Sequence, residues 1–167
     1  MNSSQFLAQL QSSASVFRMK QLRSQLAAEK HSAAANNSPG YEADFLSSEN
    51  AHAMIRLKEA ESAGEKELNE SEISSVRTLL EEYMDRFAPG QKKFKNYIVL
   101  ISLYLHFIEE KPFHPEGMRA EGGRRLFFDG AYYRCPLKDI YSGEEKSLCT
   151  LCRAAGYSEM NNKRSSN

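Results

Sequence analysis

Phe94-Lys95-Asn96-Tyr97-Ile98-Val99-Leu100-Ile101-Ser102-Leu103-Tyr104-Leu105-His106-Phe107-Ile108 is the stretch on which the fold turns. It is apolar almost all round, which places it inside the molecule as a central helix that other elements surround. Its β-branched residues would also suit a buried strand, but a run of about fifteen residues exceeds the usual strand and favours a helix. The longest apolar part, Tyr97 to Ile108, is about twelve residues and too short to cross a bilayer.

Upstream lie the segments that can surround it. Ile73, Val76, Leu79, Leu80, Tyr83, Met84 and Phe87 recur at steps of three and four, a helix opened by Asn69 or Ser71 and closed before Pro89-Gly90. A weaker apolar face, Ala51, Met54, Ile55 and Leu57, predicts a helix over Leu46 to Ala60. Phe6, Leu10, Ala14, Phe17, Leu22 and Leu26 predict one long amphipathic helix from Ser4 to about Glu29, followed by a loop at His31 to Gly40. The Glu-rich stretch Glu59 to Glu72, interleaved with lysines, reads as a solvated linker. The expected fold is therefore mainly α, a bundle of about four helices over 1–110.

Beyond Lys111 the character changes. Three of five prolines and all three cysteines lie downstream, and 111–156 reads as a small hairpin-plus-helix module, with 157–167 a polar, disordered tail. Asp129-Gly130, between Leu126-Phe127-Phe128 and Ala131-Tyr132-Tyr133, suits a two-residue type I′ hairpin turn. That register opposes Phe128 to Ala131, Leu126 to Tyr133 and Arg125 to Arg134. Two facing arginines repel unless an anion or an acid such as Glu116 or Glu121 lies between them, which makes Arg125 and Arg134 an anion-binding candidate. Ser147 to about Ala155 is expected to form a short last helix.

Cys149-Thr150-Leu151-Cys152 is a C-x-x-C pair, and Cys135 stands upstream directly before Pro136. A strand end carrying Cys135 and a helix start carrying the pair can converge on one point, as structural zinc sites do. Where a zinc knuckle would place its second cysteine, this chain has Lys138. Only three sulfurs are therefore supplied, and His114, in Pro112-Phe113-His114-Pro115, is the best fourth ligand for a closed Cys3His site. Three thiolates with one other donor could also hold an iron-sulfur cluster, and three with an exchangeable water would leave zinc open for redox or hydrolytic chemistry. Buried unliganded thiols are the plain alternative.

Lys111-Pro112-Phe113-His114-Pro115-Glu116-Gly117-Met118, Gly122-Gly123, Tyr132-Tyr133-Arg134-Cys135-Pro136-Leu137-Lys138 and Leu148-Cys149-Thr150-Leu151-Cys152, after the apolar helix, together resemble an uncharacterised protein family of methanogenic archaea. The resemblance covers roughly Lys93 to Arg153. It implies an intracellular archaeal protein, supports counting His114 with the cysteines, and implies no activity.

The rest of the chain narrows the function classes. Of 167 residues 22 are basic and 22 acidic, so no global field attracts a polyanion, and nucleic acid is not an expected partner. The N-terminus lacks the basic-then-apolar order of a signal peptide, and the odd cysteine count argues against a disulfide framework, which together predict a cytoplasmic protein. His106 and Glu110, four apart, would share a helical face and could pair, although a histidine there more often belongs to the core. Gly-rich phosphate loop, nucleophile elbow and HExxH motifs are all lacking. The sequence thus points to a non-enzymatic zinc protein that binds a protein partner, with metal chemistry as the alternative.

Overall fold

The computed structural model describes residues 1–32, 41–120 and 123–157. Six helices are present among them: α1 (Ser3–Ser13), α2 (Met19–Ser32), α3 (Tyr41–Glu59), α4 (Glu70–Phe87), α5 (Lys92–Phe107) and the short α6 (Pro136–Tyr141). One two-stranded antiparallel sheet pairs β1 (Phe127–Phe128) with β2 (Tyr133–Arg134). The protein is mainly α, with its small sheet near the C-terminus, as the sequence indicates. Among the described residues no helix is long and apolar enough to cross a membrane.

α5 is the centre. Val99 through Phe107 are all buried, and α1, α3 and α4 pack around them. α4 starts where its sequence says it should: the Asn69 side chain accepts from the Ser71 and Glu72 amides, and the helix stops at Ala88 before Pro89. α3 runs from Tyr41, five residues earlier than the predicted start at Leu46. Most of the expected loop at 31–40 lies outside the described residues.

The first predicted helix is two. After α1 the chain forms a 3-10 turn, Ala14–Val16, and Phe17 becomes extended (φ −94°, ψ 113°) before α2 begins. The break lets Ala14 be fully buried and brings the Phe17 ring edge-on to Tyr97 of α5, 5.2 Å between centroids. The Glu-rich segment is not a free linker either: Ser3 donates its amide to the Lys66 carbonyl (2.8 Å), Leu68 to that of Met1 (2.9 Å), and the Ser3 hydroxyl reaches the Ala63 carbonyl. It is pinned alongside the N-terminus.

His106 and Glu110 do not pair. α5 ends at Phe107, and Glu110 takes a left-handed conformation (φ 53°) beyond it, with its carboxylate on Lys66. His106 stays in the core at 5% exposure, its ring stacked on Phe113. The Nδ1 atom of His106 has no hydrogen-bond partner.

Candidate functional site

Downstream of Lys111 the chain builds a ladder of short pairings. Gly117 donates to the Leu126 carbonyl and Leu126 to that of Met118, β1 and β2 pair next, and β2 is flanked in turn by a parallel bridge from Arg134 to Ala155. The Cys135 amide donates to the Ala155 carbonyl and the Ala155 amide to the Tyr133 carbonyl, both at 2.8 Å. These bonds tie the segment after the C-x-x-C pair to the strand that leads into Cys135.

The hairpin register differs from the expected one. Phe127 pairs with Arg134 and Phe128 with Tyr133, so the loop is Asp129–Tyr132, four residues rather than two. The cause is Asp129 itself. Its carboxylate accepts from the Ala131 and Tyr132 amides and from Arg134 Nε (2.6 Å), while Gly130 supplies the positive φ (97°) of the turn. These bonds, the backbone amide of Tyr132 foremost and then the Arg134 guanidinium, hold the Asp129 carboxyl at a pKa of about 2. Arg125 and Arg134 are therefore not directly opposed. Arg134 is buried with its charge answered by Asp129, and the repulsion that motivated an anion site does not arise. Glu116 instead accepts from the Phe128 amide. Leu126 is buried, whereas Phe128 is 47% exposed.

Cys135 follows β2 and precedes Pro136, the first residue of α6. It is buried, and burial pushes its thiol pKa up, opposed by the Leu137 and Lys138 amides that face the sulfur without closing a capping hydrogen bond. The predicted helix at Ser147–Ala155 is only a 3-10 turn, Leu148–Thr150, begun by the Ser147 hydroxyl accepting from the Cys149 amide. The sequence did not signal α6, which takes its place as the helix of this module.

Cys152 is half-buried. Burial raises its thiol pKa, while the Ala154 and Phe113 amides and then the Lys138 ammonium favour its thiolate. Lys138 holds the turn from inside: its Nζ donates to the carbonyls of both Cys149 and Cys152, the latter at 3.0 Å. A cation thus stands at the place where a zinc knuckle would have a fourth sulfur. Its role as a staple across the C-x-x-C turn had one sequence signal, a lysine in Cys-Pro-x-Lys.

Cys135, Cys149, Cys152 and His114 line one cavity of about 710 Å3, between α4, α5 and the C-terminal segment. His114 also borders Cys135 and Leu126 beneath the ladder. Burial lowers its pKa, so its imidazole is neutral and able to donate a lone pair. All three cysteines are free thiols. The four side chains surround a common space without being drawn into contact: among the described residues no three His, Cys, Asp or Glu side chains form a group that could hold a metal as they stand.

Comparison with known proteins agrees with the archaeal resemblance and extends it. A family model described as "Uncharacterized protein conserved in archaea (DUF2115)" matches residues 4–156, so the likeness includes the N-terminal helices as well as the cysteine segment. A UPF0305 protein of Methanocaldococcus jannaschii is 28% identical over 106 residues, 64% of each chain. One from Methanococcus maripaludis strain C5 is 29% identical over the same length. A UPF0305 protein of Methanothermobacter thermautotrophicus is 30% identical over 63 residues, 38% of each chain. The chain thus spans just under two thirds of the length of the first of these relatives. No solved structure matches.

Proposed function

The chain belongs to the archaeal family described as an uncharacterized protein (DUF2115), a description that carries no activity, and from its own residues we propose that it is a zinc-binding adaptor. The observation that carries the reading is the shared cavity: three free thiols and a neutral histidine, from three separate segments, face one space. Cys135, Cys149, Cys152 and His114 are a donor set of the kind that closes tetrahedral zinc sites. Bound there, zinc would supply a structural cross-link between the β2–α6 junction, the C-x-x-C turn and the loop before the ladder. The amides at Cys135 and Cys152 and the Lys138 ammonium favour thiolate charge before any metal arrives. Both thiols are still raised by burial, so metal binding must release their protons, and affinity rises with pH.

An adaptor needs a surface, and the cavity rim offers one. Phe87, Phe94 and Tyr141 are exposed aromatic side chains around it, the composition of a protein-binding patch. The odd thiol count and the free cysteines suit a reducing compartment, the cytoplasm.

The test is a zinc titration against a chromophoric chelator under anaerobic conditions. Wild type is expected to take one zinc per chain, tighter at pH 8 than at pH 6, with Cys135→Ser, Cys149→Ser and Cys152→Ser each losing the site and His114→Ala weakening it. Equal zinc uptake by wild type and the triple serine variant would overturn the proposal. A brown chromophore after iron and sulfide reconstitution, with no zinc competing for it, would replace zinc by an iron-sulfur cluster.

A further inference from the structure

A second and larger cavity, about 880 Å3, lies between α2, α3 and the start of α5. It falls in the range of small-molecule sites. Its floor is apolar and well packed: Phe17 and Leu22 are buried, and the Phe17–Tyr97 edge contact closes the bottom. The wall is held in place, since Gln25 of α2 donates to the Ser47 hydroxyl of α3 at 2.8 Å. Phe94, on the α5 side, is left 47% exposed.

The charged lining is one-sided. Arg18, Lys92 and Lys93 border the cavity, and among the described residues no aspartate or glutamate does. Among the described residues none of the three forms an ion pair, in a protein whose acids and bases balance at 22 each. Several other surface cations are engaged: Arg23 with Glu59, Lys66 with Glu110, Lys95 with Asp85. A free inorganic anion would answer the cations and leave the apolar floor uncovered. A neutral apolar molecule would fill the floor and leave three charges unanswered.

From this juxtaposition we propose that the cavity binds an amphipathic anion, an apolar chain lying over Phe17, Leu22 and Phe94 with a carboxylate or phosphate head between Arg18, Lys92 and Lys93. The cavity adjoins the thiol cavity, sharing Leu46, Asn50 and Phe94 with it, but none of the cysteines nor His114 lines it, and the proposal does not rest on the zinc reading. Low-dielectric walls strengthen the head-group attraction relative to an exposed lysine pair, and the chain contributes by covering apolar surface.

The experiment uses the full chain and monomeric amphiphiles below their micelle concentrations, with calorimetry as the readout. Dodecyl phosphate and dodecanoate are expected to bind one per chain, at least tenfold tighter than dodecyltrimethylammonium or inorganic phosphate. Lys92→Gln with Lys93→Gln should weaken both anions tenfold or more, whereas Lys20→Gln with Arg77→Gln, the same loss of charge elsewhere, should leave them within twofold. Ala43→Trp, at an exposed lining position on α3, should block the cavity without disturbing the core. Thermal unfolding confirms that each variant folds. Equal binding of the cationic amphiphile, inorganic phosphate binding as tightly as dodecyl phosphate, or equal losses in the two double variants would each overturn the proposal. Binding to phosphatidylglycerol vesicles with none to the monomeric anions would assign the cations to a membrane surface and overturn it as well.

Discussion

The helical body and the C-terminal module are stabilised in different ways. The body has α5, nine consecutive buried residues from Val99 to Phe107, enclosed by α1, α3 and α4. The module's own core is Leu126, Cys135 and Ala154, with Tyr133, Leu137 and Cys152 partly covering it. At roughly 1.5–3 kcal/mol for each large apolar side chain fully buried, the body is self-sufficient and the module is not. It leans on the body instead. Phe113, Leu148 and Leu151 pack against the main core, Arg153 donates to the His106 carbonyl, and Arg86 to that of Lys146. With so little apolar area of its own, the module is where a cross-link through the three thiols, as proposed, would matter most.

The sharpest break of this contrast is a pair of truncations. Leu103→Ala, at a fully buried position of α5, is expected to cost about 2–5 kcal/mol and to lower the unfolding midpoint of the whole chain. Leu126→Ala should release only the module, with amide exchange rising over 117–155 while α1–α5 stay protected. If both variants lose the whole molecule in one transition, the two regions are a single cooperative unit and the contrast fails.

His106 sharpens it next, because it sits at the junction. Burial, and then the nearby Arg153 charge, lower its pKa to about 4 from an ordinary 6.5. The unfolded chain therefore takes up a proton that the folded one refuses. Stability is full above about pH 6.5 and falls as pH drops towards 4, by on the order of 3 kcal/mol. Burial acts on His114 in the same direction. Denaturant unfolding at pH 5 and 7.5 should show a markedly smaller pH difference in His106→Phe than in wild type. An unchanged difference would mean that His106 does not set this pH dependence.

The smallest effect belongs to the hairpin. Asp129→Asn keeps the loop's amide acceptor but loses the charge facing Arg134, so cross-strand contacts between Phe128 and Tyr133 should weaken in NMR spectra while the helices are unaffected. Unaltered cross-strand contacts would mean that backbone pairing alone sets the register.

Legibility in the sequence followed the same division. α4 and α5 could be read because period, cap and stop agreed: Asn69 before the stripe, Pro89-Gly90 after it, and an apolar run too long for a strand. The break at Ala14–Phe17 carries no Gly or Pro, and what imposes it is a tertiary contact, Phe17 against Tyr97. The Asp129-Gly130 turn misled because local preference allows a two-residue loop, while the Asp129 side chain captures two amides and an arginine and fixes a four-residue one. At the site, residue type was informative and geometry was not. Cys135, Cys149, Cys152 and His114 do border one space, but the Lys138 staple and the helix after Pro136 depend on where carbonyls and amides fall in three dimensions. The basic-mouthed cavity left no trace in the sequence, because Arg18, Ser47 and Lys92 come from three distant segments.

The proposed zinc would complete the module and leave the body alone. Amide hydrogen exchange of the reduced full chain, with and without one equivalent of zinc, measures that directly. The predicted result is slower exchange over 113–117, 133–138 and 147–155 on adding zinc, unchanged exchange in α1, α4 and the buried turns of α5, and no response in the triple cysteine-to-serine variant. Identical exchange with and without zinc throughout the module, or the same change in the serine variant, would contradict it.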